Sequence, residues 1–307
     1  MQATTRTREG DQHRPESNRP ESTADATTPE TTVVEGAQVA YAEYGDPLGD
    51  PVVVFHGTPG SRLLGKLYDE AAQVAGVRVL SFDRPGYGQS DPRDGFGATD
   101  TPDVVAGVLD AAGVDSAGLV AFSGGAPHAL ATAAGLPERV RGVDVVAGGV
   151  PASMRDGTPA PQRVLGALAA AAPRALAGLY RGQAWAARRL PPSFVVAQYT
   201  AGDRDEDVPE AVADLVKRDF VAAMAERRDG AVRESAQFTG DWGVPLSAVD
   251  CRVRWWHGTD DDNVSLADAE RVADALPDCE FRRVDADHLG ALVATRTDVL
   301  GPYADTE

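Results

Sequence analysis

The chain has 307 residues, about twice the ~150 of a typical domain, so a sizeable core can be buried without disulfide or metal staples and a mini-protein scaffold is excluded. Hydrophobic residues make up 43% and charged residues 25%, which excludes wholesale disorder, and no window approaches the ~20 apolar residues of a membrane-spanning helix. With 32 Asp and 15 Glu against 27 Arg and two Lys, the net charge of -18 provides no basic face for a phosphate backbone and argues against a nucleic-acid partner.

The Asp-heavy, Lys-poor balance resembles that of proteins from organisms that accumulate molar salt, where screening reduces self-repulsion; an acidic, Arg-rich protein from a GC-rich genome is the other reading. The polar N-terminus lacks the apolar stretch of a secretory signal, so the expectation is a soluble, cytoplasmic protein with no membrane partner and an open oligomeric state.

Residues 1–34 are rich in Thr, Pro, Glu and Arg and carry almost no large apolar side chain before Val33. Nothing there offsets ordering entropy, which predicts a disordered tail. From Gln38 onward strand-like runs alternate with helical stretches: VAYAEYG, VVVFHG, VRVLSFD, AGLVAFS and VDVVAGG, with Arg62–Val74, Pro102–Ala112 and Gly124–Ala134 between them at helical spacing. Short β-branched runs separated by helices indicate a mostly parallel sheet covered on both faces. The alternation stops after Val150. Arg163–Arg189 is Ala- and Leu-rich and Pro209–Arg228 has apolar positions at helix spacing, with SFVVAQY the one strand candidate between them. Strand pattern resumes at VRWWHG and CEFRRVD. The predicted organisation is an α/β core over 35–150 and 246–307, split by a helical cap over 151–245 that lies above the C-terminal edge of the sheet, where ligands of open α/β sheets bind.

Cys251 and Cys279 show no CxxC spacing, and five scattered histidines form no metal-ligand cluster. Both cysteines sit where strands begin and are expected as small buried thiols, a bridge between neighbouring strands being the alternative.

The strongest chemical signal is GLVAFSGGAPHAL. Ser123 follows an apolar strand run and precedes Gly124, Gly125 and a helical pattern, a corner that would expose the hydroxyl and aim a helix N-terminus at charge formed there. An ordinary Ser-Gly-Gly turn would have the same sequence, so the motif needs partners. Two follow in order: Asp260, Asp261 and Asp262 after VRWWHG, and His288 after the last strand. An imidazole can take a serine proton at neutral pH while a carboxylate fixes its tautomer. All three positions fall after strand C-termini and therefore on one rim.

With HGTPG (His56–Gly60), DRPGYGQSD (Asp83–Asp91), AFSGG, HGTDD (His257–Asp261) and the Asp287-His288 pair, the chain resembles the α/β-hydrolase family from about residue 36 to 300. The resemblance implies an eight-stranded, mostly parallel sheet flanked by helices. It also implies Ser123 as nucleophile, His288 as base, and backbone N–H groups of Thr58 and Gly124 as the oxyanion hole. The acid falls on Asp261, the fifth residue of HGTDD, although a one-residue shift among three consecutive Asp would reassign it. His56, Gly57, Gly60, Phe122 and Gly125 would shape the site. Ala121 stands where the family's GxSxG begins with glycine. Asp287, beside the histidine where relatives often carry glycine, reads as surface acidity.

His56 and His257 end strands and read as partners of loop backbone, His128 as packing, and Asp83 and Arg84 as ties between loops. Trp242, Trp255 and Trp256 read as core, with a pocket lining as the alternative. The expected activity is hydrolysis of an ester or related acyl bond of a small, apolar molecule, carboxylesterase-like, with no metal or organic cofactor. The alternatives are a cofactor-free haloperoxidase-like or aminopeptidase-like member of the same fold, or a non-catalytic small-molecule-binding protein on it.

Overall fold

The apolar runs pair into one sheet in the computed structural model, which describes residues 29–158, 160–202, 204, 208–237 and 239–304. The strands are β1 (Glu30–Val34), β2 (Ala37–Gly45), β3 (Asp50–Phe55), β4 (Val77–Phe82), β5 (Ala117–Phe122), β6 (Val140–Val146), β7 (Val253–Gly258) and β8 (Cys279–Val284). Among them run α1 (Asp69–Ala75), α2 (Thr101–Ala111) and α3 (Ala126–Gly135), then α4 (Ala160–Ala171), α5 (Pro173–Arg189), α6 (Ser193–Val196), α7 (Glu210–Ala225) and α8 (Asp229–Gln237), and finally α9 (Leu266–Asp274) and α10 (His288–Thr295). None of the described helices is long and apolar enough to cross a membrane.

The strand order is β1-β2-β4-β3-β5-β6-β7-β8. β2 runs antiparallel to β1 and β4, and every other pairing is parallel. The central strands read as unbroken apolar runs because both faces are covered. Val52, Val54, Val120 and Phe122 pack into one cluster and Val53, Phe55, Leu119 and Ala121 into the other, as the two-residue alternation of a strand requires. Successive strands step outward in opposite directions from the β3–β5 pair, so a crevice opens beyond the C-terminal ends of β3 and β5. The HGTPG and AFSGG segments emerge there.

The structure corrects three expectations. Glu30–Val34, placed in the tail, form β1 instead. The positive φ of both Glu35 (50°) and Gly36 (83°) makes the two-residue turn that folds this β-branched run back on β2; residues 1–28 of the expected tail lie outside the described residues. SFVVAQY contributes α6 and no strand: Pro191 and Pro192 open a helical turn in which Pro192 O accepts from Val195 N and Val196 N at 2.9 and 3.0 Å. The cysteines are half-buried and unbridged. The Arg163–Arg189 stretch is divided at Ala172, which leaves helical geometry (φ -147°, ψ 59°) ahead of Pro173.

One buried polar cluster locks the far side of the sheet. Asp144 on β6, fully buried, accepts hydrogen bonds from Arg254, from Trp256 Nε1 at 2.9 Å and from Tyr303 Oη at 3.0 Å. It thereby joins β6, β7 and the C-terminal segment. Trp255 and Trp256 are core residues, as expected.

Candidate active site

Ser123 sits between β5 and α3 with φ 51°, a left-handed conformation that costs a non-glycine residue energy and persists only where its surroundings enforce it. The enforcement is visible at Gly125, where a Cβ would lie 2.6 Å from Phe55 O, so only glycine lets the turn pack against the end of β3. Residues 123–125 make one tight turn that runs into α3.

His288 opens α10. Its neighbour Asp287 is not surface acidity. It is 3% exposed, caps the helix by accepting from Gly290 N at 2.7 Å, and accepts from Ala201 N of the segment between β6 and β7 at 3.0 Å. Asp261 lies in the loop after β7, with Oδ1 accepting from Asn263 N and Val264 N, both at 2.9 Å. Its Oδ2 accepts from His288 Nδ1 at 2.7 Å, and His288 Nε2 accepts from Ser123 Oγ at 3.0 Å. Of the three consecutive aspartates the structure brings Asp261 to the imidazole. Asp260 pairs with Arg204 at the surface, and Asp262 is exposed at the edge of the cavity. Burial opposes ionisation of Asp261, but the charge and hydrogen bond of His288, with help from His257 and Val264 N, hold its carboxyl below the usual range. The ring of His288 lies 5.0 Å from that of Phe122 and 6.5 Å from that of Tyr199, the latter nearly parallel.

Thr58 and Gly124 meet across this corner. A Cβ on Gly124 would lie 2.2 Å from Thr58 Oγ1 and 3.2 Å from Thr58 N, so the HGTPG backbone comes against the turn after Ser123. Gly57 packs on the Phe122 ring and Gly60 against His56. The neutral imidazole of His56 donates from Nδ1 to Gly57 O at 2.8 Å and accepts at Nε2 from Arg84 N at 3.2 Å. Burial, then the charge of Arg84, keep it well below the ordinary histidine range. His257 contacts Val264 O at 3.0 Å. His128 does more than pack: it hydrogen-bonds Thr101 Oγ1 at 2.7 Å and its Nε2 lies 3.4 Å from Glu234.

Two buried carboxylates from the helical segment between β6 and β7 reach this loop, and sequence reasoning did not find them. Glu234 on α8 accepts from Thr58 Oγ1 at 2.5 Å, and Asp219 on α7 accepts from Ser61 N and Oγ at 2.9 and 2.7 Å. A Glu or Asp on a mixed helix reads as a solvated face; no local signal marks these two as buried. Above the corner lies a cavity of about 1060 Å³ that reaches Ser123 and His288, with Leu165, Leu179, Tyr180, Tyr199, Phe220 and Trp242 on its walls. Among the described residues no group of three or more His, Cys, Asp or Glu could hold a metal ion.

Residues 50–295 match the family model of the alpha/beta hydrolase fold. The chain belongs to this family. A relative among α/β hydrolases is the 2-hydroxy-6-oxononadienedioate/2-hydroxy-6-oxononatrienedioate hydrolase of Paraburkholderia phymatum, 30% identical over 258 residues that cover 81% of this chain and 84% of the relative. Solved α/β hydrolases share the fold. They include the enol-lactonase of Burkholderia xenovorans LB400 (TM-score 0.67, 20% identity, 88% of this chain and 99% of that one). A thermophilic esterase from Thermogutta terrifontis follows at TM-score 0.64 and 19% identity, with 89% and 94% covered.

Proposed function

We propose that this α/β hydrolase cleaves an ester or related acyl bond of a small, largely apolar molecule through an acyl-enzyme on Ser123. The observation that carries the reading is the Ser123–His288–Asp261 chain of hydrogen bonds, 3.0 and 2.7 Å, opening onto the large, mainly apolar-walled cavity. In this mechanism His288 Nε2 takes the Ser123 proton as Oγ bonds to the acyl carbon, and Asp261 stabilises the imidazolium. The carbonyl oxygen becomes an oxyanion that the N–H groups of Thr58 and Gly124 stabilise more than they do the neutral carbonyl. His288 returns the proton to the leaving alcohol. It then takes one from water, whose oxygen adds to the acyl carbon and releases the acid with Ser123 regenerated. Residues 151–245 act as a cap whose apolar side chains choose the substrate.

The test is fluorophosphonate labelling read by intact mass, on wild type and Ser123→Ala, in low salt and in molar KCl. A single adduct on wild type that is absent from the variant is the expected result, with fuller labelling in KCl if the acidic surface requires screening. No adduct on folded wild type in either condition overturns the reading. An ester library follows, and in a separate assay the 2-hydroxy-6-oxononadienedioate named for the Paraburkholderia relative, a keto diacid that carries no ester bond.

A further inference from the structure

The carbonyls behind the proposed oxyanion hole are held by a guanidinium. Arg84, fully buried, donates from Nη1 to His56 O and from Nη2 to Gly57 O at 3.0 Å. Gly57 O belongs to the same peptide as Thr58 N–H, and in a trans peptide the two point in opposite directions. Fixing the carbonyl on Arg84 and on His56 Nδ1 therefore fixes where Thr58 N–H points. Charge-assisted bonds to that carbonyl also polarise the peptide and strengthen the N–H as a donor.

A guanidinium without exposure to water needs a counter-charge, and the chain supplies it from outside the α/β core. Glu234 on α8 accepts from Arg84 Nε at 2.9 Å and Nη2 at 2.8 Å, from Tyr87 Oη at 2.8 Å and from Thr58 Oγ1 at 2.5 Å. Burial opposes its charge, yet Arg84, followed by His128, holds the carboxyl well below the usual range. Glu234 thus grips Thr58 directly through its side chain and indirectly through Arg84, Gly57 O and the peptide. The Thr58 side chain is the one that abuts Gly124.

We propose that Glu234 is a positioning residue for the oxyanion hole. Through Arg84 and the Thr58 hydroxyl it sets the orientation of the Thr58 N–H, so that the hole is complete only while α8 is seated on the core. Asp219 holds Ser61 at the other end of the same loop, so two carboxylates from one insertion bracket residues 58–61. This rests on the Ser123 acyl-enzyme reading. The role differs from stabilisation of the fold because it weighs on the transition state and not on the ground state.

The test compares wild type, Glu234→Gln, Thr58→Val and Thr58→Ser. Thr58→Val keeps both charges of the Arg84–Glu234 pair and the Thr58 N–H, and puts a methyl in place of the hydroxyl that donates to Glu234 and accepts from Arg84 Nη2 at 3.2 Å, so it reports on the hole even if Glu234→Gln folds poorly. Active-site concentration is set by fluorophosphonate titration, and kcat, KM on a p-nitrophenyl ester and Ki for a boronic acid that forms a tetrahedral adduct are measured. The expected result for Thr58→Val and folded Glu234→Gln is a fall in kcat of about 10- to 100-fold with KM within about threefold. Ki for the boronic acid rises in parallel with the loss, and Thr58→Ser restores both. Values of kcat per active site within twofold of wild type in Thr58→Val overturn the proposal, as does a lower kcat with unchanged Ki. Wild type that neither labels nor turns over the ester removes the acyl-enzyme reading itself, a distinct failure.

Discussion

Replacing Asp261 by Asn separates the electronic part of its proposed role as the acid from its structural part. Oδ1 keeps its two backbone donors, Asn263 N and Val264 N, because an amide oxygen accepts as a carboxylate does. The other oxygen becomes an NH2 group 2.7 Å from His288 Nδ1, where two donors would meet. The imidazole escapes by moving its proton to Nε2, the atom that must accept from Ser123 Oγ, 3.0 Å away. A wrong tautomer at this position in a Ser-His-Asp site costs ~10⁴ in kcat, about 5 kcal/mol of transition-state stabilisation. Thermal stability should change little, since both backbone bonds and the shape remain. The assay is kcat on a p-nitrophenyl ester with melting temperature alongside, and Asp260→Asn and Asp262→Asn as controls expected within about threefold of wild type. Activity of Asp261→Asn within tenfold of wild type, or an equal loss in either control, refutes the argument.

Other outcomes follow from buried charge. Asp144→Ala strands Arg254, Trp256 Nε1 and Tyr303 Oη, and should destabilise the fold by about 3–5 kcal/mol in urea unfolding without moving active-site-normalised kcat; a loss below about 1 kcal/mol would contradict it. Burial pushes the Asp219 carboxyl up to about 7, above the 3.8 of a free Asp. The folded state therefore binds the extra proton between these values, and ionising Asp219 costs stability as pH rises through about 4 to 7, with no further cost above. Asp219→Asn carries no such penalty, so its stability relative to wild type should improve steadily from pH 4 to pH 7 and then level off. Parallel stability curves for the two proteins would sink this reasoning.

The sheet was legible because its central strands are buried on both faces, which leaves unbroken runs such as VVVF and GLVAF that helices do not need. β1 is hard to read because it is short and mostly exposed on the sheet edge: its alternation is confined to the last few residues, of which Val34 alone is buried. SFVVAQY shows the reverse: a β-branched run gives way to the two prolines before it. Within the site, Ser123, Asp261 and His288 announce themselves by position after strands, because a parallel sheet carries all such loops to one edge. Glu234 and Asp219 do not, since their partners lie 176 and 158 residues away in sequence. Asp287 misled for a related reason: an acid beside a histidine reads as surface charge, yet here it caps the helix that presents that histidine.

β6 and β7 pair directly although α4–α8 lie between them in the chain. The ends of that long excursion are thus held side by side by the sheet, and closing it costs hardly more entropy for a long excursion than for a short one. In principle the sheet is a socket into which helical segments of other lengths could be spliced without disturbing a single strand. The Arg84–Glu234 pair limits that freedom. A graft that brought no carboxylate to Arg84 would leave a buried guanidinium without its counter-charge, so transplanting the pocket walls means transplanting one acidic position along with them.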